Sequence, residues 1–169
     1  MVQIRREGSG DEEAVRRINQ RAFGTDEEAD VVDRLRRTCN EYLAFVATED
    51  EAIVGHILFT PATLDASSIV GMGLAPMAVD PGRQNAGVGT LLVQHGLEYL
   101  RVSGCPFVIV LGHPEYYPRF GFELASAYGL TCQWEGLPDE AFMIKVFEPD
   151  GFPEAGGTAR YRVEFDEAV

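Results

Sequence analysis

Apolar positions along this chain recur with two different spacings. Between Ser9 and Cys39 the spacing is helical: Ala14, Val15, Ile18 and Ala22 in SGDEEAVRRINQRAF, then Val31, Val32, Leu35 and Cys39 in TDEEADVVDRLRRTC. Ser9 with Glu12, and Thr25 with Glu28, have the spacing of capping boxes at two successive helix starts separated near Gly24. Ahead of them VQIRR predicts a short first strand. From Glu41 the period shortens. EYLAFVATEDEAIVGHILFTPATL holds two apolar runs broken by Glu49-Asp50-Glu51, the pattern of a β-hairpin. Both runs are apolar on either side, which predicts a covering layer on each face of the sheet.

SSIVGMGLAPMAV predicts a further strand, interrupted by Gly71, Gly73 and Pro76; glycines inside a strand mark a bulge or a close approach to the backbone. The segment after Gly87 returns to helical spacing, and CPFVIVLG follows as a buried strand. Strand, helix and strand together make a crossover unit with parallel pairing. In that helix His95 falls with Val88, Leu91, Leu92, Tyr99 and Val102 on one face and reads as a core histidine. HPEYYPRFGF predicts a single helical turn, AFMIKVF another strand and EPDGFPEAGG a surface connection. RYRVEFDEA alternates as a half-buried edge strand would, with Tyr161, Val163 and Phe165 inward. The sum is one α/β domain with a mixed sheet over residues 1–169. Its core spans about 2–147 and a C-terminal strand extension about 157–166.

Composition narrows the partners. A chain of 169 residues with 46% hydrophobic and 24% charged residues has the make-up of a single globular domain. Its apolar runs fall short of the roughly 18 residues of a membrane span, so no membrane partner is expected. The opening MVQIRREGSGDEEAV has neither signal- nor transit-peptide character, which makes the cytoplasm the expected location. A net charge of -13 argues against a nucleic-acid partner. Of the basic residues only Lys145 is a lysine. Both a high-salt host and an arginine-biased genome account for that. Cys39, Cys105 and Cys132 form no CxxC, and His56, His95 and His113 lack metal-ligand spacing, so no metal is expected.

The chemistry gathers in VDPGRQNAGVGTLLVQHGLEYL, residues 79–100. A strand ends, a glycine-bearing turn follows, and a helix begins. The first amides of a helix have no intrahelical acceptor and carry partial positive charge, which makes such a turn an anion site. Glycine lets a phosphate approach the backbone without a Cβ in the way. Gln84 is expected to brace the turn or donate from its amide, and Arg83 to add positive charge. The segment lacks the lysine of a Walker loop and the third glycine of a dinucleotide fingerprint.

The run from Val79 to Gly89 closely resembles the acyl-CoA signature of the GCN5-related N-acetyltransferases, [QR]-x-x-G-x-[GA] after a strand ending in V-x-P. Tyr117-Pro-Arg-Phe-Gly121-Phe122 resembles the Y-x-x-x-G-F segment of the same family, and AIVGHILFTP its third strand. One helix and one strand separate the two motifs, as in the family. The resemblance covers about residues 2–147 and is strongest from 77 to 122. LGHPEYYPRFGF is similar to a bacterial subgroup of these acetyltransferases.

The resemblance implies a GNAT-like fold with splayed strands and acetyl-CoA as co-substrate. Met77, Ala78 and Val79 would offer backbone groups to the pantetheine arm. Gln84, Asn85, Ala86, Gly87, Val88, Gly89 and Thr90 would cradle the pyrophosphate. An amine would attack the thioester carbonyl directly, with a backbone N–H at or near Ala78 facing the oxyanion and no role for the cysteines. Tyr117 would protonate the leaving thiolate, with Tyr116 as the fallback. Glu115, His113 and His56 are candidates by type for a general base, and no single base is required. Pro114 and Pro118 bracket the tyrosines and predict a shorter helical turn than the family's. A non-catalytic acyl-CoA sensor of the same fold is the alternative, and an unrelated nucleotide-binding domain a more distant one. The acceptor is a small-molecule or peptide amine whose identity the residues do not spell. Its pocket is expected from the two N-terminal helices and the last strands. Asp26, Glu27 and Glu28 are available to a cationic amine, or serve simply as first-turn helix charges. The 160–165 edge leaves a homodimer and a monomer both open.

Overall fold

The computed structural model describes residues 1–154 and 156–168. In chain order it runs β1 (Gln3–Arg6), α1 (Glu12–Phe23), α2 (Glu27–Thr38), β2 (Leu43–Glu49), β3 (Ala52–Leu64) and β4 (Val70–Val79). It continues through α3 (Val88–Val102), β5 (Phe107–Leu111), β6 (Glu123–Leu124), β7 (Leu130–Cys132), β8 (Phe142–Val146) and β9 (Gly157–Arg160). Among the described residues these strands form one mixed sheet with neighbour order β1-β2-β3-β4-β5-β8-β6, and β9 pairs with both β3 and β7. Only β4 with β5 and β7 with β9 run parallel. The α/β class and mixed sheet expected from the sequence are what the chain adopts.

Alternation along the strands builds two cores. Val46, Leu58, Phe107, Ile109 and Ile144 face one side, where Val15 of α1 and Val31, Val32 and Leu35 of α2 meet them. Phe45, Ile57, Phe59, Val108 and Val110 face the other, against Val88, Leu92, Val93 and Leu97 of α3. Covering layers on both faces explain why the middle strands are apolar at nearly every position. The β2–β3 hairpin turns at Asp50 and Glu51, both with positive φ, as a two-residue loop matched to strand twist.

The structure corrects four sequence expectations. The first is the capping. Helices α1 and α2 start at Asp11 and Asp26 rather than at capping boxes. Glu12 accepts from Gly10 N–H, and Thr25 donates only to the Glu28 side chain. The second is the buried face of α3, which is Val88, Leu92, Val93, Gly96, Leu97 and Leu100; Leu91, His95, Tyr99 and Val102 are exposed. Gly96 sets that rotation, since a Cβ there would lie 2.4 Å from the Phe59 ring.

Third, the strand expected over 157–166 stops at Arg160, and Val163–Ala168 coils into a helical turn. Thr38 of α2 donates to Glu164 at 3.0 Å, and Arg162 pairs with Glu164 at 2.7 Å. In this turn Tyr161 and Phe165 stay buried while Val163 points outward. Fourth, β9 is no free edge: Ala159 lies opposite Leu64 on one side and Cys132 on the other. The edge on which the homodimer reading rested is therefore occupied. In the turn-rich connection before β9, residue 155 lies outside the described residues.

Candidate active site

Strands β4 and β5 run together for three residue pairs, Met72/Val108, Gly73/Ile109 and Leu74/Val110, and then part. The parting begins at a bulge. Ile57 and Phe59 of β3 lie opposite Met77 and Leu74, so β4 carries one extra residue at Ala75-Pro76. Glycine is required on the way in, because a Cβ on Gly73 would lie 2.6 Å from the Tyr161 ring. The Tyr161 hydroxyl donates to Leu74 C=O at 3.0 Å and accepts from Leu111 N–H at 3.2 Å. Tyr161 thereby pairs the backbone groups left free where the ladder stops, and caps the vertex of a wedge.

Beyond the vertex β4 keeps β3 on one edge, through Met77, Ala78 and Val79, while its other edge has no strand partner among the described residues. The turn follows. Asp80 accepts from Gly82 N–H and receives the Arg21 guanidinium, and Gln84 Nε2 donates to Val79 C=O at 3.1 Å. Gln84 therefore braces the turn. Arg83 is engaged away from it, paired with Glu49 at 2.6 Å. Asn85 and Gly87 both have positive φ, and Gly87 is the residue that starts α3. The first bond back along the helix is Leu91 N–H to Gly87 C=O at 3.1 Å. Among the described residues the amides of Val88, Gly89 and Thr90 have no acceptor. Three adjacent free donors on a half-exposed helix start suit an anion such as pyrophosphate.

Across the wedge His113 C=O accepts from the amides of Tyr116 and Tyr117, and one helical turn spans Tyr117–Phe120. The two prolines thus leave a single turn. It places the tyrosines differently. The Tyr116 hydroxyl lies 3.3 Å from Thr90 Oγ1, and a Cβ on Gly89 would be 3.1 Å from it and 3.4 Å from Met77 Cε. Arg119 lies over the Tyr116 ring, 4.5 Å from its centre, and has no carboxylate partner among the described residues. Tyr117 packs its ring over Gly112 and against Phe122, and the residue is only 6% exposed. Burial, with Tyr116 adding to it, pushes the Tyr117 phenol up from its ordinary value. The group keeps its proton at neutral and mildly alkaline pH.

A cavity of about 380 Å³ opens here. Leu74, Met77, Leu111, His113 and Tyr117 line its wedge end. Of the sequence-predicted residues, Met77 and Tyr117 line this cavity; residues 84–90 do not, and the turn meets the wedge outside it, where Gly89 and Thr90 approach Met77 and the Tyr116 hydroxyl. Of the base candidates only His113 lines the cavity; Glu115 is exposed elsewhere. His56 is corrected. It is fully buried under α1, because its position in β3 alternates with Gly55 and Ile57, which face α3. Its Nδ1 lies 3.3 Å from Asn19 Nδ2, and its Nε2 lies 3.8 Å from Glu7 without a hydrogen bond.

Burial, reinforced by nearby Arg36, lowers the His56 pKa from 6.5 to about 3. A group with a depressed folded-state pKa contributes stability that is complete above its unfolded value, here 6.5. That contribution drains away as pH falls towards about 3, with a slope of at most about 1.4 kcal/mol per pH unit. Glu7, which burial pushes up against the pull of Arg36, acts in the opposite sense from above its ordinary 4.5. Urea unfolding between pH 6.5 and 4.5 should therefore show falling stability in the parent protein. The His56→Gln profile should be flatter, and parallel profiles would refute the assignment.

Sequence reasoning missed Arg119 and Tyr161, and read Trp134 in no role. Tyr116 entered only as the fallback acid. Arg119 lies inside a motif, yet its lack of an ion-pair partner in an acidic protein shows only in three dimensions. In the sequence Tyr161 is one inward position of an alternating run, and nothing local signals that it reaches the wedge.

Comparison with known proteins places this geometry. A family model described as acetyltransferase (GNAT) domain matches residues 3–125. An uncharacterized N-acetyltransferase of Escherichia coli K12, YhbS, is 35% identical over 148 residues, 87% of this chain and 88% of that protein. The crystal structure of YhbS from Escherichia coli in complex with CoA has a TM-score of 0.90 at 33% identity, over 98% of this chain and 92% of that one. A GNAT family acetyltransferase from Brucella melitensis in complex with acetyl-CoA has a TM-score of 0.81 at 31% identity, over 98% and 99%.

Proposed function

The chain belongs to the GNAT acetyltransferases, and from that premise we propose that it transfers an acetyl group from acetyl-CoA directly to a primary amine. The observation that carries this reading is the wedge beyond Leu74 and Val110, which Tyr117 lines, with three free amides at the nearby start of α3, where Gly89 and Thr90 approach Met77 and Tyr116. That neighbours over 98% of the chain hold CoA and acetyl-CoA supports it. The unpaired edge of Met77, Ala78 and Val79 suits the pantetheine arm, which carries amides able to pair with it as a strand does. The amides of Val88, Gly89 and Thr90 suit the pyrophosphate, with Arg119 and the Tyr116 hydroxyl beside them. Gln84 and Gly87 hold the turn in the conformation that exposes those donors.

Acetyl-CoA supplies the activated carbonyl. The amine nitrogen forms the new C–N bond as the C–S bond breaks; one amine proton passes to solvent, and the thiolate takes a proton from Tyr117. Asp80 N–H is bonded to Val54 C=O, so alternation turns the Ala78 N–H towards β3 and leaves those of Met77 and Val79 on the open edge; one of these is the donor offered to the carbonyl oxygen. Tyr117 suits its part because it is buried, protonated and at the wedge. No cysteine lines the cavity, and none is needed for direct transfer.

Calorimetric titration of the full chain with acetyl-CoA, CoA and ATP in parallel tests the reading. Acetyl-CoA and CoA should bind in the micromolar range, about −8 kcal/mol, and ATP at least tenfold more weakly. No acetyl-CoA binding by the folded protein would remove the acetyltransferase reading.

A further inference from the structure

The cavity continues past Tyr117, and its far end has a composition of its own. Phe23 and Val31 enter from the α1–α2 region, and Trp134, Tyr161 and Phe165 from the C-terminal third. Trp134 stacks on Tyr161 with ring centres 5.6 Å apart, and its Nε1 is fixed by donation to Asp166 at 3.0 Å. Tyr161 spends its hydroxyl on the two strands, so it presents only its ring. Among these walls stands one carboxylate, Glu28. Because no capping box forms, its only polar contact is Thr25 Oγ1 at 3.1 Å. Among the described residues it has no cationic partner, although many carboxylates of this acidic chain do, and no Arg or Lys lines the cavity.

We propose, resting on the acetyltransferase reading, that the acceptor is a monocationic primary amine carried on an apolar, aryl or alkyl, body. Glu28 receives the ammonium group, and the Trp134–Tyr161–Phe165 wall receives the body. Glu28 is half-buried at the cavity wall and free of any cation among the described residues, so it is available to a ligand ammonium, and aromatic faces add to the attraction for a cation. One carboxylate serves one ammonium. A polyamine or an aminoglycoside would press further cations against Phe23, Val31 and Phe165. A peptide would bring backbone groups for which these walls offer few partners. A cavity of about 380 Å³ lies at the small end of the range that holds whole small molecules. Glu28 orients the amine; its proton leaves through solvent or His113 at the wedge end.

Trp134 is the only tryptophan in the chain, so its fluorescence reports on the wall without any need for turnover. The experiment titrates CoA-saturated protein with 2-phenylethylamine, spermidine, kanamycin and N-acetyl-lysine methylamide. The same four amines are then assayed for CoA thiol release from acetyl-CoA. Phenylethylamine should change the Trp134 emission saturably and give a kcat/KM at least tenfold above the others. Glu28→Gln should raise its Kd and KM about tenfold with kcat little altered, the size expected of one charge-assisted contact. Preference for spermidine, kanamycin or the lysine amide would overturn the proposal, as would an unchanged KM in Glu28→Gln. A kcat/KM for hexanoyl-CoA above that for acetyl-CoA, with no fluorescence response to phenylethylamine, would assign the cavity to the acyl chain and overturn it too. Acetyl-CoA binding without transfer to any of the four amines defeats this inference alone. Absence of acetyl-CoA binding defeats the reading beneath it.

Discussion

Replacing Tyr117 by Phe should lower kcat by about 10²- to 10⁴-fold, the range of a lost general acid, while the Kd for acetyl-CoA stays within a factor of a few. The ring, which packs over Gly112 and against Phe122, is retained in the variant; only the hydroxyl is removed. No protein partner takes that hydroxyl in the described structure, so its removal leaves no donor or acceptor stranded in the fold. The phenol is held above its ordinary value by burial and by Tyr116. The acid form therefore persists through the ordinary tyrosine range near 10, and kcat should show no alkaline loss there. Tyr116→Phe is the control, because that hydroxyl contacts Thr90 and is expected to affect CoA affinity instead. If Tyr116→Phe loses kcat and Tyr117→Phe does not, the roles are reversed. Stopped-flow measurement of thiol release with saturating amine decides between them.

Gly87→Trp should weaken acetyl-CoA binding by at least about 100-fold, the equivalent of two charge-assisted hydrogen bonds to phosphate. Gly87 has φ +87° at the start of α3. Any L-residue there pays roughly 1–2 kcal/mol in left-handed backbone, and so displaces the turn whose free amides follow it. A Cβ there meets no other atom within 4 Å, so the indole itself is accommodated without a clash. Thermal unfolding of the variant separates the two effects: a small drop in Tm with lost binding supports the phosphate assignment. Retained micromolar affinity would mean that the pyrophosphate lies elsewhere.

The glycine-bearing turn between β4 and α3 is legible in the sequence because it is made locally. Free amides at a helix start, a left-handed glycine and a bracing glutamine all lie between residues 84 and 90, so their order in the chain is nearly their order in space. The crossover unit was legible for a related reason: period two, then helical period, then an apolar run leaves few topologies. Helix α3 shows where pattern reading stops. Its apolar residues fit two overlapping faces, and Gly96, which carries no hydrophobic signal, selects between them by admitting the Phe59 ring. The C-terminal segment failed similarly. Tyr161 and Phe165 face inward in either a strand or a helical turn, and contacts from α2 to Glu164 favour the turn.

By itself the sequence determined the layers, the parallel crossover, the glycine-bearing turn at the start of α3 and the family to which the chain belongs. Each rests on neighbours in the chain or on a periodicity that backbone geometry imposes. Tertiary structure alone decided which tyrosine faces the wedge, that His56 is buried out of reach, and that Tyr161 caps the vertex. It alone assembled the far pocket, from residues 23–31, 134, 161 and 165. Those residues are brought together by the return of the C-terminal segment across the sheet, and no local pattern encodes a contact between positions more than a hundred residues apart.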